Sequence, residues 1–233
     1  MNFKPLPKPA RKVIVIANEK GGVGKTTIAT NLASMCANVG WDTLLCDVDP
    51  QQSSTKWANV RQEFNLEPAV SCVARTGKCG ADIARLAEKF DVVIVDSGGR
   101  DSIEMRQAMS VSDMVLMPVS TGQFEVWSVA TMDTIMADVC TRTGIDLEGL
   151  VFLTKATSNI DSALNTSTHD QLAQLKRYKA MPLENSIVSR VSYQYAALSG
   201  RSVFEKMDRR DVKAEEEMRG LFKATFGMDL ELA

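Results

Sequence analysis

Short unbroken apolar runs alternate with longer stretches of helical composition, and this rhythm continues almost to the end of the chain. Val13-Ile14-Val15-Ile16-Ala17 is a continuous, largely β-branched run followed by a Gly-rich turn; Thr26 to Val39 then reads as a helix that stops at Gly40. Thr43-Leu44-Leu45-Cys46 predicts the next strand and Gln51 to Phe64 the next helix. Val70 to Ala74 and Val92-Val93-Ile94-Val95 predict two more strands, separated by a helix over about Ala81 to Lys89. Met114 to Val119 and Leu150 to Leu153 predict a further pair, flanking a helical stretch from about Phe124 to Arg142. Apolar runs without polar interruption suit strands covered on both faces, as in a parallel sheet with crossover helices. The expected fold is α/β: a doubly wound, mostly parallel sheet with helices on both faces, forming one domain over 1–233. Within it, 1–11 is expected to be a basic extended tail and about 211–233 a C-terminal helical element.

Composition narrows the class without naming a chemistry. A chain of 233 residues can bury roughly 70% of its unfolded surface, enough for a core without staples. Lys and Arg number 27 against 29 Asp and Glu, a formal charge of −2, which gives no general attraction to nucleic acid. No apolar run approaches the ~18 residues of a membrane span. The basic, Pro-rich start (Lys4, Lys8, Arg11, Lys12) is followed by too short an apolar stretch for a signal sequence, so it reads as a cytoplasmic tail. Cys36, Cys46, Cys72, Cys79 and Cys140 are odd in number and form no C-x-x-C pair, which suits reduced, structural thiols.

The chemistry sits between the first strand and the first helix, in Lys20-Gly21-Gly22-Val23-Gly24-Lys25-Thr26-Thr27. Glycines there let successive backbone N–H groups turn inward around phosphate oxygens, and the helix N-terminus adds partial positive charge. Lys25 can reach the β- and γ-phosphates of a nucleotide, and the Thr26 hydroxyl can ligate Mg²⁺. The usual loop would carry Gly at position 19; this chain has Glu19, with Lys20 ahead of the glycines. Six fixed residues of these types would arise by chance in a chain this long with a frequency on the order of 10⁻⁵.

These residues resemble the ParA/MinD family of variant P-loop ATPases. The resemblance implies that Lys20 is the signature lysine that reaches the partner subunit's phosphates, and hence an ATP-sandwich homodimer. A cation from a second chain would neutralise charge building on the transferred phosphoryl group, coupling hydrolysis to dimerisation. In Leu44-Leu45-Cys46-Asp47-Val48-Asp49-Pro50-Gln51, Asp49 matches the aspartate that orients the attacking water and Asp47 the acid that helps hold the Mg²⁺ shell. A strand end capping the next helix is the alternative reading of those acids. Asp91-Val92-Val93-Ile94-Val95-Asp96 ends a buried strand in a carboxylate suited to the metal, usually through a coordinated water. Ser97-Gly98-Gly99-Arg100 follows where many relatives carry a proline pair, which leaves the part of Arg100 open. The expected ligands are thus ATP or ADP with Mg²⁺: Gly21, Gly22, Val23, Gly24, Lys25, Thr26 and Thr27 on the nucleotide, and Thr26, Asp47 and Asp96 on the metal.

Further along, Pro118 to Trp127 resembles the family's segment near the dimer interface; Phe124 and Trp127 there serve either as core or as interface. Thr154-Lys155 and Pro182 to Asn185 are candidate adenine-pocket segments, and His169 reads as a solvated helix residue. Between Arg190 and Lys223 lie eight basic and six acidic residues, the basic ones concentrated at 201–213 and the acids at Glu215 to Glu217, so two faces of opposite sign are expected. That stretch resembles the part of ParA-type partition proteins that binds DNA without sequence preference, which makes Arg190, Arg201, Arg209, Arg210 and Arg219 the candidate DNA contacts. The resemblance further implies a cargo adaptor of the ParB kind whose basic tail stimulates hydrolysis, and a cytoplasmic, nucleoid-associated location. Only about a dozen residues precede the first strand, so the layout matches small members without an N-terminal helix-turn-helix. Membrane contact is not expected, because Asp229 and Glu231 follow the weakly amphipathic end. A MinD-like regulator and a P-loop metabolic ligase are the alternatives; an iron–sulfur reductase would need a cysteine after Asp96, which the following stretch lacks.

Overall fold

Every uninterrupted apolar run predicted to be a strand is one. The computed structural model describes residues 3–205, 207 and 210–231, with the side chains of 123–126 excluded. The strands are β1 (Lys12–Ile16), β2 (Thr43–Asp47), β3 (Ser71–Ala74), β4 (Val92–Asp96), β5 (Met114–Ser120), β6 (Glu148–Ala156), β7 (Tyr178–Ala180) and β8 (Ile187–Val188). Their order is β3-β2-β4-β1-β5-β6-β7, with β8 also paired to β6, and every described pairing is parallel. Parallel neighbours need crossovers, which α1 (Lys25–Asn38), α2 (Ser53–Glu63), α3 (Gly80–Ala87), α4 (Ile103–Met109), α5 (Gln123–Thr143) and α6 (Ala163–Ala173) supply. α7 (Val191–Leu198) and α8 (Val212–Phe226) close the chain.

Side-chain alternation divides the interior into two cores, one on each side of the sheet. Ile14, Ile16, Leu45, Ile94, Leu116 and Phe152 pack with Ile28, Leu32 and Met35 of α1 and Met218, Leu221 and Phe222 of α8. Val13, Val15, Cys46, Val93, Val95 and Val115 pack with Ile83, Met105, Met109, Met132 and Met136 from α3, α4 and α5. Both sheet faces are therefore covered, which explains why the strands carry no polar interruption.

Three expectations change. The N-terminal tail is extended but pinned: Phe3 is buried, edge-on to Phe204 with centroids 5.5 Å apart, the Lys4 N–H donates to the Glu231 carbonyl, and the Trp41 indole donates to the Leu6 and Pro7 carbonyls. α4, α6, α7 and the short β7 and β8 had no counterpart in the sequence reading. α6, with Ala-Leu-Asn-Thr-Ser-Thr-His-Asp-Gln-Leu-Ala, has too few apolar positions to show a helical period, and β7 and β8 are below the length at which alternation is legible. His169 is not simply solvated, since its Nε2 lies 3.0 Å from the Met181 carbonyl oxygen.

The strand order also positions the site. The chain makes β2, then β3 further out, and returns to insert β4 between β1 and β2, so the loops after β1, β2 and β4 leave adjacent strands at one edge. Register aligns their ends: Ile16 pairs with Asp96, and Asp96 pairs with Asp47.

Candidate functional site

The loop after β1 has the backbone that phosphate binding demands. Gly22 and Gly24 have φ of 77° and 95°, left-handed values that side chains resist, and Gly24 caps α1 in that conformation. A Cβ built on Gly21, Gly22 or Gly24 would meet nothing within 4 Å, so these positions of the loop adjoin open space. Buried Asn18 organises its start by donating to the Pro118 carbonyl at 2.9 Å while accepting from the Lys20 N–H at 2.9 Å. Thr154 at the end of β6 donates to the Val23 carbonyl at 2.8 Å and so fixes the far side of the loop.

Lys25 is buried, and its ammonium donates to the Lys20 carbonyl across the loop at 2.7 Å. Burial pulls its pKa down, and the charges of Asp96 and Asp49 oppose that shift. Lys20 is half-buried, one turn of loop from Lys25. Val23 is buried and Thr26 and Thr27 open α1, with Thr26 Oγ1 donating to Asp96 Oδ2 at 2.8 Å.

Both acids that end β2 and β4 are fully buried. Asp47 accepts from the Thr55 N–H at 2.8 Å, from the Thr55 hydroxyl at 3.0 Å and from the Asp49 N–H at 3.1 Å. Asp47 thus caps α2 from outside the helix, the alternative role considered for a strand-end acid, and burial raises its pKa against those hydrogen bonds. Asp96 Oδ2 accepts from Thr26 and also from Ser54 at 2.7 Å, whereas its Oδ1 is buried and has no hydrogen-bond partner among the described residues. Burial lifts the Asp96 carboxyl to about 7, against the hydrogen bonds from Ser54 and Thr26.

The loops close on one another by backbone contact. A Cβ at Gly99 would lie 2.7 Å from Gly21 Cα, so only glycine permits this approach of the β4 loop to the phosphate loop. A Cβ at Gly98 would touch the Asp49 carboxyl group at 3.5 Å. Asp49 itself is half-buried and caps the turn by accepting from the Gln51 N–H at 2.9 Å, while its own N–H donates to Asp47. Arg100 is exposed.

The donor set fits a hard divalent cation shared with phosphate: hydroxyl and carboxylate oxygens, one of them a buried oxygen with unused lone pairs. Among the described residues no cluster of three or more His, Cys, Asp or Glu could hold a metal alone.

Beside the loop lies a cleft of about 100 Å³ lined by Val23, Gly24, Thr27, Thr154, Lys155 and the 187–190 segment. Thr154 and Lys155, one of the two segments considered for an adenine pocket, line this cleft; Pro182 to Asn185, the other, do not, and β8 lines it instead. Lys155 has φ 50° at the irregularity where β6 meets β8.

The arginines named as DNA contacts are dispersed in their roles. Arg190 binds buried Glu217 with two N–H groups at 2.8 and 2.6 Å, and Glu217 also accepts from the Tyr193 hydroxyl. Arg219 lies over the rings of Phe3 and Phe204, at 5.0 and 5.7 Å, and donates to the Leu230 carbonyl. Arg210 pairs with buried Glu215 at 2.6 and 2.7 Å but keeps half its side chain in solvent. Arg201 is half-buried, and Arg209, like Lys206, lies outside the described residues. The expected separation of charge is therefore corrected: Glu215 and Glu217 point inward and pair with arginines, because α8 packs on the core by that side. Trp127 is 60% exposed and so is not core, and the Phe124 side chain lies outside the described residues.

Asn18, Ser54 and Thr55 were missed. A Ser-Ser-Thr run at a helix start reads as ordinary capping, and nothing local shows that its hydroxyls cross to two strand ends.

Comparison with known proteins agrees with this geometry. A family model described as an AAA domain matches residues 11–78, the stretch from the basic end of the tail through β3. The chain is 26% identical over 225 residues to the chromosome partitioning protein ParA of Caulobacter vibrioides, across 88% of this chain and 83% of that one. It is 28% identical over 210 residues to the maintenance of carboxysome distribution protein A of Halothiobacillus neapolitanus, across 87% and 91%. Among solved structures, apo McdA of Cyanothece has a TM-score of 0.75 at 18% identity, across 92% of this chain and 99% of that one, a likeness of fold.

Proposed function

The chain belongs to the ParA/MinD family of P-loop ATPases, and from that premise we propose that it is a partition-type ATPase. In this reading it binds Mg²⁺-ATP, dimerises around the nucleotide, holds duplex DNA without sequence preference, and positions a cargo through an adaptor that stimulates hydrolysis. The observation that carries the reading is the convergence of the Lys20–Thr27 loop, Asp49 and the Asp96–Thr26 pair at the ends of three neighbouring strands.

Each residue then has a task set by its geometry. The loop N–H groups and the α1 N-terminus cradle the phosphates. Lys25 leaves the Lys20 carbonyl for phosphate oxygens, a stronger, charge-assisted partner. Thr26 and Asp96 would hold Mg²⁺, which would supply positive charge to the bound phosphates, while Asp47 steadies α2 and the Asp49 turn. Asp49 orients the attacking water, and Lys20 reaches the phosphates of a second copy. Adenine fits the cleft beside Thr154 and Lys155.

The DNA role rests on Arg201 and exposed Lys213, together with Arg209; Arg190, Arg210 and Arg219 are engaged within the fold. Dimerisation doubles a modest number of phosphate contacts, so a monomer of near-neutral charge gains affinity only in the ATP state. The MinD-like alternative is disfavoured by α8, whose Met218, Leu221 and Phe222 are fully buried and not available to a lipid surface. No helix of the described residues is long and apolar enough to cross a membrane.

The test is binding to random-sequence duplex DNA with ATP, ADP or no nucleotide across a salt series. Tight, steeply salt-dependent binding with ATP alone is expected. Equal binding in all three states removes the DNA part of the proposal. Asp49→Ala should keep ATP and lose turnover, and ordinary turnover in that variant removes the assigned role.

A further inference from the structure

Ser54 is fully buried in the first turn of α2, yet its hydroxyl does not cap its own helix. It crosses 42 positions of sequence to donate to Asp96 Oδ2 at 2.7 Å, the same oxygen that accepts from Thr26 at 2.8 Å. Two donors occupy both lone pairs of that oxygen, which stops the carboxylate from rotating and leaves Oδ1, buried and unpartnered, as the oxygen with capacity to spare. A hydroxyl that spends its one proton on a carboxylate presents only lone pairs elsewhere. Both Thr26 and Ser54 are in that state, so the polarity of the pocket is set for a cation or for water bound to one.

The next residue strengthens the arrangement. Thr55 gives its N–H and hydroxyl to Asp47, the register partner of Asp96, so consecutive residues of α2 tie down two neighbouring strand ends. α2 in turn is anchored at its other end by Arg61, whose guanidinium binds Glu205 at 2.7 and 2.9 Å in a buried pair. Ser54 therefore sits on a helix held at both ends and cannot follow Asp96 if that carboxylate turns.

We propose that Ser54 is a positioning residue for the metal shell: its hydroxyl locks the Asp96 carboxylate in the orientation that receives the Mg²⁺ accompanying the nucleotide. This rests on the functional reading above. Removal of the hydroxyl leaves Thr26 as the single donor to Asp96, and the carboxylate gains rotational freedom that cation binding must then remove.

The experiment titrates a fluorescent ATP analogue into the full chain in MgCl₂ and again in EDTA, and compares the two affinities. Ser54→Ala should leave the EDTA affinity unchanged and reduce the Mg²⁺-dependent gain about tenfold. Ser54→Thr, which keeps the donor, should restore most of the gain. Ser54→Cys, of similar volume with a weak donor, should behave like the alanine variant and serves as the measurement if Ser54→Ala does not fold. An equal loss in MgCl₂ and EDTA means a merely structural role and overturns the inference, as does an unchanged gain in Ser54→Ala and Ser54→Cys. If the unaltered chain itself gains nothing from Mg²⁺, the functional reading falls and this inference with it; a gain in the unaltered chain that the variants share defeats the inference alone.

Discussion

The ends of β1, β2 and β4 and the segment from Arg190 to Leu230 are both rich in polar groups, but they use them in opposite ways. At the strand ends, charged and hydroxyl side chains converge: among the described residues Lys25 donates only to its own loop's carbonyl, and Asp96 keeps a buried oxygen without a partner. In the C-terminal segment the charges satisfy one another, Arg190 with Glu217 and Arg210 with Glu215, and Arg219 covers two aromatic rings. Buried charges without partners are costly, so a protein retains them where a ligand will complete them. Charge in a sequence measures supply; availability depends on what folding has already paired.

Lys25→Ala attacks the first region and is expected to have the largest effect. Loss of a charge-assisted contact of about 3 kcal/mol lowers nucleotide affinity roughly 100-fold, while the melting temperature changes little. Isothermal titration reads this directly, and unchanged affinity breaks the assignment of the loop.

Glu217→Ala tests the second region. It strands Arg190, whose side chain is only 20% exposed, so the chain should lose about 3 kcal/mol, a drop of roughly 10 °C in melting temperature. Nucleotide affinity should stay within a few-fold. A variant of normal stability that has lost DNA binding would instead place this pair on the DNA surface.

The pH dependence of stability separates the regions further. Asp96 has its pKa lifted by burial from 3.8 to about 7. Between those values the folded chain retains a proton that the unfolded chain has released, so stability falls as pH rises through the window. Without nucleotide or metal, the chain should melt at a higher temperature at pH 5.5 than at pH 7.5. Asp96→Asn should flatten that slope, with the residual carried by Asp47 and Glu217, whose pKa values burial also raises. An identical slope in the variant would show that Asp96 is not the group responsible.

The smallest effect expected is on DNA. Arg201→Ala should weaken binding several-fold and lower the salt slope by about 2 in a dimer, one contact per subunit. Arg190→Ala and Arg219→Ala, whose guanidinium groups serve the fold, should lower stability and leave the salt slope unaltered. A lower slope for Arg190→Ala would break the distinction between the two regions.

Much of the first region was legible before the fold was known, because its signals are local. Glycines at 22 and 24 stand where the backbone takes left-handed angles, and short, mostly apolar runs followed by Asp47 and Asp96 mark strand ends. The second region was not legible in the same way. The cluster of Glu215 to Glu217 reads as an acidic surface until α8 is seen to bury Glu215 and Glu217 against arginines 5 and 27 residues away. The tail from Phe3 to Arg11 reads as loose for the same reason, since its anchors at Trp41, Phe204 and Glu231 are distant in sequence.

The sequence alone determined that this chain is a doubly wound α/β protein with a lysine-preceded glycine loop between its first strand and first helix, because apolar period, glycine placement and motif spacing are properties of neighbouring residues. The tertiary structure decided which charges remain for ligands, that Asp47 and Asp96 stand side by side, and that Ser54 reaches across to hold the second of them. Those outcomes depend on strand order and register, with β4 inserted between β1 and β2, and no local pattern encodes that insertion.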